Sequence, residues 1–424
     1  MAKINVLIFP AGEINSIELH DALSTCVNIK LYGASSIDRH GEYIFKNYIS
    51  NVPLISDPAF FEEFNKIITD NKIDIVFPTH DTVAEFFAKN HEKIHAKLIC
   101  ADNSTSEICR DKKKTFELFK DEEFCPIIYK DFDKLPVFIK PRRGQGSVGA
   151  FLIKNNSDIP QNINTEEYVI CEYLPGEEYT VDCLTDKNGN LAAILPRSRN
   201  RLLAGICVSG QNETLTDEIK LIAQTINNKL KFCGLWFFQI KKDVNNKFKL
   251  LEISTRCAGT MCLSRAIGVN LPLLSIYTIM GYDIKVFINP YNIKMDRTLI
   301  SRYKIDYDYK TVYFDFDDTL IINEKVHLPA ICFLYQCRNK GKKVILLTKH
   351  EKEIYESLKQ YCIDKNLFNE IIHIKPENRK SDFINPDKAI FVDNAYKERY
   401  EVYKTFKIPV FDVDGLEVLA DWRI

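Results

Sequence analysis

The 424-residue sequence predicts a multidomain protein of α/β and α+β class. Three observations carry this. Short β-rich runs alternate with segments of helical periodicity at both ends of the chain, the pattern of parallel α/β layers. The middle instead carries glycine-rich turns and paired strands, which read as mainly antiparallel sheet with helices between. The length itself exceeds what a single hydrophobic core spans. These shifts divide the chain into residues 1–105, 106–290, a linker at 291–308 and a last region at 309–424.

In the first region, "INVLIFP", "VNIKLYG", "IDIVFPT" and "KLICA" are the strand candidates, with helical periodicity over Phe60 to Thr69 and Val83 to Ile94. The opening apolar run is short and followed by polar residues, so it reads as a first strand and not as a signal peptide. No apolar stretch reaches bilayer-spanning length. A formal net charge of -1 gives no global field favouring nucleic acid or an anionic membrane. Thirteen scattered cysteines without a C-x-x-C pair argue against a disulfide framework and against a zinc site. A reduced, cytoplasmic protein is expected.

The middle region holds "VFIKPRRGQGSVGAFLIK", where Gly144, Gly146 and Gly149 make a formal G-x-G-x-x-G match. A dinucleotide fingerprint needs a helix next, and here another strand follows. The alternatives are an ordinary hairpin turn and a lid whose backbone N–H groups face phosphate oxygens, with Lys140 adding a point charge. Downstream, "YVICEYLPGEEYTVDCL" places Glu177 and Glu178 just after a turn; one of them can accept ribose hydroxyls, or both can be solvated. Gln239 and Glu252 fall on adjacent strands of one hairpin, both bounded by apolar residues. A carboxylate facing inward from an apolar strand is costly unless paired or bound to a cation, so Glu252 is a magnesium-ligand candidate.

In this order the pieces resemble the ATP-grasp superfamily, in the branch of carbamoyl-phosphate synthase and single-chain carboxylate–amine ligases. The resemblance covers residues 1–290 and implies a Rossmann-like layer preceding an ATP-grasp domain. It implies ATP phosphate contacts from Lys112 in "RDKKKTFELF" and from Lys140, with Gly146 and Ser147 in the lid. Glu172, Tyr173 and Leu174 become the adenine hinge, and Glu178, with Glu177 as the alternative, the ribose residue. The metal signature falls on Gln239, Glu252 and Ser254, and Arg256 meets the transferred phosphoryl group. Ser254 stands where the family has Asn. ATP and Mg2+ (or Mn2+) are the implied cofactors, and the reaction passes through an acyl-phosphate, so positioning and charge neutralisation dominate.

Arg197, Arg199 and Arg201 alternate in "LPRSRNRLLAGICVSGQ" and share one side of a strand. They read as a clamp for an anionic acceptor or as a charged edge that discourages strand pairing.

In the last region, "TVYFDFDDTL" is a buried strand ending in Asp315 and Asp317, which share a face and reach the C-terminal edge where α/β sheets bind ligands. One carboxylate can attack phosphorus while the other works as acid and base, with magnesium screening the phosphate; the alternative is a calcium-like acidic loop or a capping turn. The region resembles the haloacid dehalogenase superfamily over residues 310–424. That implies Thr348 as a phosphate contact, Lys380 (or Lys375) as the conserved lysine, and Asp393 beside Asp315 and Asp317 as magnesium ligands. Asn394 replaces a second acid, and the interval from Leu320 to Lys342 leaves no room for a large cap.

The combined expectation is a bifunctional ligase and phosphatase. Its partners would be small-molecule carboxylate and amine substrates, with no nucleic acid or membrane; a homodimer is left open. The alternatives are that one half alone is catalytic, or that the chain binds ATP without turnover as a regulator.

Overall fold

The computed structural model describes residues 3–144, 146, 148–160, 163–203, 205–421 and 423. The expected lid residue Ser147 lies outside them. The chain forms two compact units, with the division after Leu299.

The first unit opens with a five-stranded parallel sheet in the order Asn47–Ile49, Ile29–Ala34, Ile4–Phe9, Ile75–Pro78, Lys97–Leu98. Its first strand is central and buried on both sides, which explains why "VLIF" is continuously apolar. On one face Phe9 packs with Phe60 and Phe64 of the helix Phe60–Asp70, and with Phe87. On the other, Val6 and Ile8 join a core shared with Leu184, Leu195 and Phe237.

Those last residues belong to a four-stranded antiparallel sheet ordered Leu191–Ser198, Glu178–Thr185, Gly234–Lys242, Phe248–Ser254. Alternation sorts its faces. Val181, Cys183, Trp236 and Phe238 pack on the helix Asp217–Lys229, which buries Ile219, Ile222, Ala223 and Ile226 at helical spacing. Thr216 caps that helix by accepting from the Ile219 N–H, and Asp217 and Glu218 complement its dipole. The even-numbered positions Glu178, Thr180 and Asp182 face the opposite way.

A second antiparallel sheet, Ile128–Tyr129, Tyr168–Glu172, Val137–Pro141, Phe151–Ile153, carries the glycine loop between its last two strands. Part of the expected linker is strand: Lys294–Asp296 pairs with Ile206–Gln211, so the first unit continues past residue 290.

The second unit is a five-stranded parallel sheet ordered Glu370–His373, Lys343–Thr348, Thr311–Phe314, Ala389–Val392, Val410–Phe411. A two-stranded hairpin, Ile321–Ile322 with Lys325–Val326, precedes the helix Leu328–Asn339. No helix of the described residues is long and apolar enough to cross a membrane.

Candidate active sites

Between the four-stranded sheet holding Glu178–Thr185 and the one holding Val137–Pro141 lies a cavity of about 460 Å³, bordered also by the strand Ile206–Gln211 of a third antiparallel sheet. Its floor is set by register. Thr180 pairs with Arg197 on one side and with Gln239 on the other, and Gln239 pairs with Glu252. Four adjacent strands therefore present Arg197, Thr180, Gln239 and Glu252 in one row, and all four line the cavity. The neighbouring row holds Arg199, whose Nε lies 2.7 Å from Glu178, and Lys241, whose Nζ lies 3.7 Å from the same carboxylate.

Two lysines complete the wall. Lys112, the first residue of the helix Lys112–Leu118, has its Nζ 3.6 Å from Glu252 and donates to the Gly144 carbonyl at 3.3 Å. Lys140 donates to the Leu251 carbonyl at 2.9 Å. Leu251 is the extra residue where the pairing shifts between Gln239 and Ile240, and such a bulge re-aims local groups. Burial pushes the Lys140 amine below its ordinary value, and nearby Lys112 adds to the effect. Glu172, Tyr173 and Leu174 line the same cavity, as do Gly146 and Gly205. Gly205 sits at φ +78° so close to Gly146 that a Cβ would collide with the Gly146 carbonyl.

Several expected residues are placed differently from a simple motif reading. Arg201 pairs with Asp296 and does not line the cavity, because the chain leaves the sheet at Ser198 and enters another strand at Arg201. Arg197 is buried and grips Asp182 through two bonds of 2.9 and 3.0 Å, and it also donates to Thr260. Ser264 supplies a further bond to Asp182 at 2.8 Å. The three arginines thus do not form one clamp. Glu177 pairs outward with Lys242 at 2.8 Å. Ser254 donates to Asp81 at 2.7 Å and stands outside the cavity lining. Arg256 reaches the cavity while its Nη2 donates to the same Asp81, also at 2.7 Å.

Among the described residues no three His, Cys, Asp or Glu side chains gather as a metal cluster. Gln239 and Glu252 are nonetheless neighbouring oxygen donors open to the cavity, a hard-ligand pair that suits magnesium bound jointly with phosphate oxygens.

In the second unit Asp315 follows the central strand directly, Thr348 ends its neighbour and Asp393 follows the strand on the other side. All three sit at one C-terminal sheet edge. Lys380 lies between two of them, 2.7 Å from Asp315 and 2.5 Å from Asp393. Burial, together with the charge of Asp393, raises the Asp315 carboxyl to about 6 although Lys380 pulls the other way. The buried Thr348 Oγ1 has no hydrogen-bond partner among the described residues. Asp317 turns to His350, whose Nδ1 lies 2.9 Å from both carboxylate oxygens; His350 Nε2 is 2.7 Å from Ser357. Asp315 and Asp393 supply oxygen donors fit for magnesium, whereas the Asp317 side chain is engaged elsewhere. Asn394 contacts Thr319 through its N–H, at 3.0 Å.

Sequence reasoning missed Asp81, Thr180, Asp182 and His350. Asp182 had a signal, a lone acid within the apolar run "YTVDCL" at the spacing of Glu178. Asp81 stands three residues past a strand end, at the first position of the helix Asp81–Lys89, whereas the acids at 315 and 393 follow their strands directly.

A model of the family "ATP-grasp in the biosynthetic pathway with Ter operon" matches residues 164–296. The chain carries an ATP-grasp-like fold. Solved structures similar to it include the biotin carboxylase domain of Hydrogenobacter thermophilus 2-oxoglutarate carboxylase, in complex with MgADP, ADP and bicarbonate. That match has TM-score 0.56 at 17% identity and covers 68% of this chain and 71% of that one. The L-amino acid ligase of Bacillus licheniformis gives TM-score 0.53 at 16% identity over 66% of this chain and 75% of the other. Among curated proteins, D-alanine–D-alanine ligase of Buchnera aphidicola is 29% identical over 136 residues, 29% of this chain and 44% of the relative. The 3-methyl-D-ornithine–L-lysine ligase of Methanosarcina barkeri is 27% identical over 155 residues, 35% and 40% respectively. The chain spans under half the length of these two curated relatives.

Proposed function

We propose that the first unit is an ATP-dependent ligase of the ATP-grasp kind that joins a carboxylate to an amine or related nucleophile. The observation that carries this is the single-register row of Arg197, Thr180, Gln239 and Glu252 opening into one cavity with Lys112 and Lys140. The relatives named above as amino-acid ligases support an amino-acid or peptide-like substrate class.

In this reading Lys112 and Lys140 hold the nucleotide phosphates, and Glu172 to Leu174 border the base. Glu178, held by Arg199 and Lys241, faces the ribose. Magnesium at Gln239 and Glu252 supplies charge screening for the polyphosphate. A carboxylate oxygen of the acceptor attacks the γ-phosphorus, and ADP leaves. The amine nitrogen then attacks the acyl carbon, and inorganic phosphate leaves. Arg256 balances charge on the moving phosphoryl group, so the protein needs no covalent nucleophile.

The second unit reads as a phosphohydrolase acting on an intermediate of the same pathway, resting on geometry at its sheet edge. An oxygen of ionised Asp315 attacks phosphorus while Thr348 donates to the phosphate. Asp317 protonates the leaving oxygen and then takes a proton from the water that hydrolyses the aspartyl-phosphate. Magnesium beside Asp315 and Asp393 would screen the charges that otherwise keep carboxylate and phosphate apart.

A binding protein without turnover is the second reading, favoured by Ser254, whose hydroxyl is committed to Asp81. Phosphorus NMR on Asp315→Asn protein, given MgATP and pooled carboxylates and amines, separates them. ADP and phosphate formation that depends on one pool supports the ligase; tight ATP binding with no turnover across amino acids, sugar acids and short peptides supports the regulator.

A further inference from the structure

Asp81 begins the helix Asp81–Lys89, with two residues between it and the end of the parallel strand Ile75–Pro78, and is far in sequence from the residues it holds. One carboxylate oxygen accepts from Ser254 and the other from Arg256, each at 2.7 Å. Burial alone would raise this carboxyl, but Arg256 and the two hydrogen bonds keep it at about 2, so it is ionised throughout the working range. Arg256 is constrained on two further sides. Its guanidinium lies over the Phe237 ring at 5.4 Å, and its Nη1 donates to the Cys257 carbonyl at 2.9 Å. A long side chain that would otherwise sample many rotamers is thereby fixed where it lines the cavity.

The same helix also holds the glycine loop. Arg110 donates to Thr82 at 3.3 Å and to the Gly144 carbonyl at 3.1 Å, and Glu85 pairs with Arg143. One helix terminus therefore grips both the phosphoryl-facing arginine and the loop that borders the phosphates.

We propose that Asp81 is the positioning residue for Arg256, aiming its guanidinium at the phosphoryl group in transfer, and that Ser254 serves as the second anchor of Asp81. This accounts for a short hydroxyl at 254, whose Oγ reaches Asp81 while the residue stands outside the cavity lining. The inference rests on the ligase reading of the first unit, so its test avoids the unknown acceptor.

The test is calorimetric titration of the full chain with MgADP, with and without aluminium fluoride, which mimics the phosphoryl group in flight. Wild-type protein is expected to bind MgADP at least about 10-fold more tightly with the fluoride, given what one transition-state donor contributes. Asp81→Asn is expected to bind MgADP within about 3-fold of wild type yet lose most of that gain, because Arg256 acts on the phosphoryl group in transfer and only when it is held in place. A general structural lesion would weaken MgADP itself. Ser254→Ala keeps the Asp81–Arg256 pair and should lose only part of the gain. Retention of the full gain in Asp81→Asn overturns the proposal, as does a wild-type protein that binds MgADP without any gain. A wild-type protein that does not bind MgADP overturns the nucleotide reading, and this inference with it.

Discussion

Replacing Asp315 by Asn should remove the phosphohydrolase chemistry proposed for the second unit and also stabilise that unit, in a pH-dependent way. The carboxyl is buried beside Asp393, with one lysine shared between two acids. Its rise from 3.8 to about 6 means that the folded unit binds this proton more tightly than the unfolded chain does. Stability from this group is thus fully present below about pH 4 and is lost as the pH climbs through 6. The rise corresponds to about 3 kcal/mol at most, since each pKa unit is worth about 1.4 kcal/mol. Asparagine has nearly the shape of the protonated acid and never ionises. The variant should match wild type near pH 4 and exceed it at pH 8 by about 1–3 kcal/mol. Hydrogen exchange in peptides covering the strands at 311–314, 343–348 and 389–392, over a urea series at several pH values, reads this unit separately from the first. A variant less stable than wild type at pH 8, with parity at pH 4, would refute the reasoning, because it would make the Asp315–Lys380 bond worth more than the carboxylate's burial costs.

Three further outcomes follow from the same structure. Thr348→Val removes a buried hydroxyl that lacks a partner, so the second unit should hold or gain up to about 1–3 kcal/mol while phosphatase turnover falls at least about 10-fold; thermal melts alongside phosphate release check both. Arg197→Met strands Asp182 in the core and should cost about 3–5 kcal/mol in urea unfolding, whereas Arg197→Met with Asp182→Leu should recover much of it. Gly205→Ala forces a methyl toward the Gly146 carbonyl and should raise the KM for ATP several-fold, measured as ADP release once an acceptor is in hand.

Much of the fold was legible because its signals are local. Continuous apolar runs announced the buried parallel strands, and the hairpin carrying Gln239 and Glu252 announced the paired antiparallel ones. Lys112, in the charged run "RDKKK", and Lys140, in "VFIKP", stood out through the family resemblance and not through any local apolar pattern. What the sequence hides is the partner. Asp81 meets Ser254 and Arg256 across 173 and 175 residues, a distance no periodicity spans. The arginine series shows the same limit differently. Alternation puts Arg197 and Arg199 on one side, yet each finds a carboxylate on the neighbouring strand, and a break at Arg199 and Asn200 carries Arg201 into another sheet. His350 was invisible as a functional candidate because its bond to Asp317 depends on two strands lying side by side.

The row from Arg197 to Glu252 crosses three strand intervals, and strand spacing near 4.8 Å makes it about 14 Å long. Backbone hydrogen bonds set that length, so the sheet behaves as a graduated ruler along the cavity floor. Side chains beneath it can change size without moving the graduations. A substitution at one mark therefore changes the chemistry offered there while leaving the spacing of the other marks as it was.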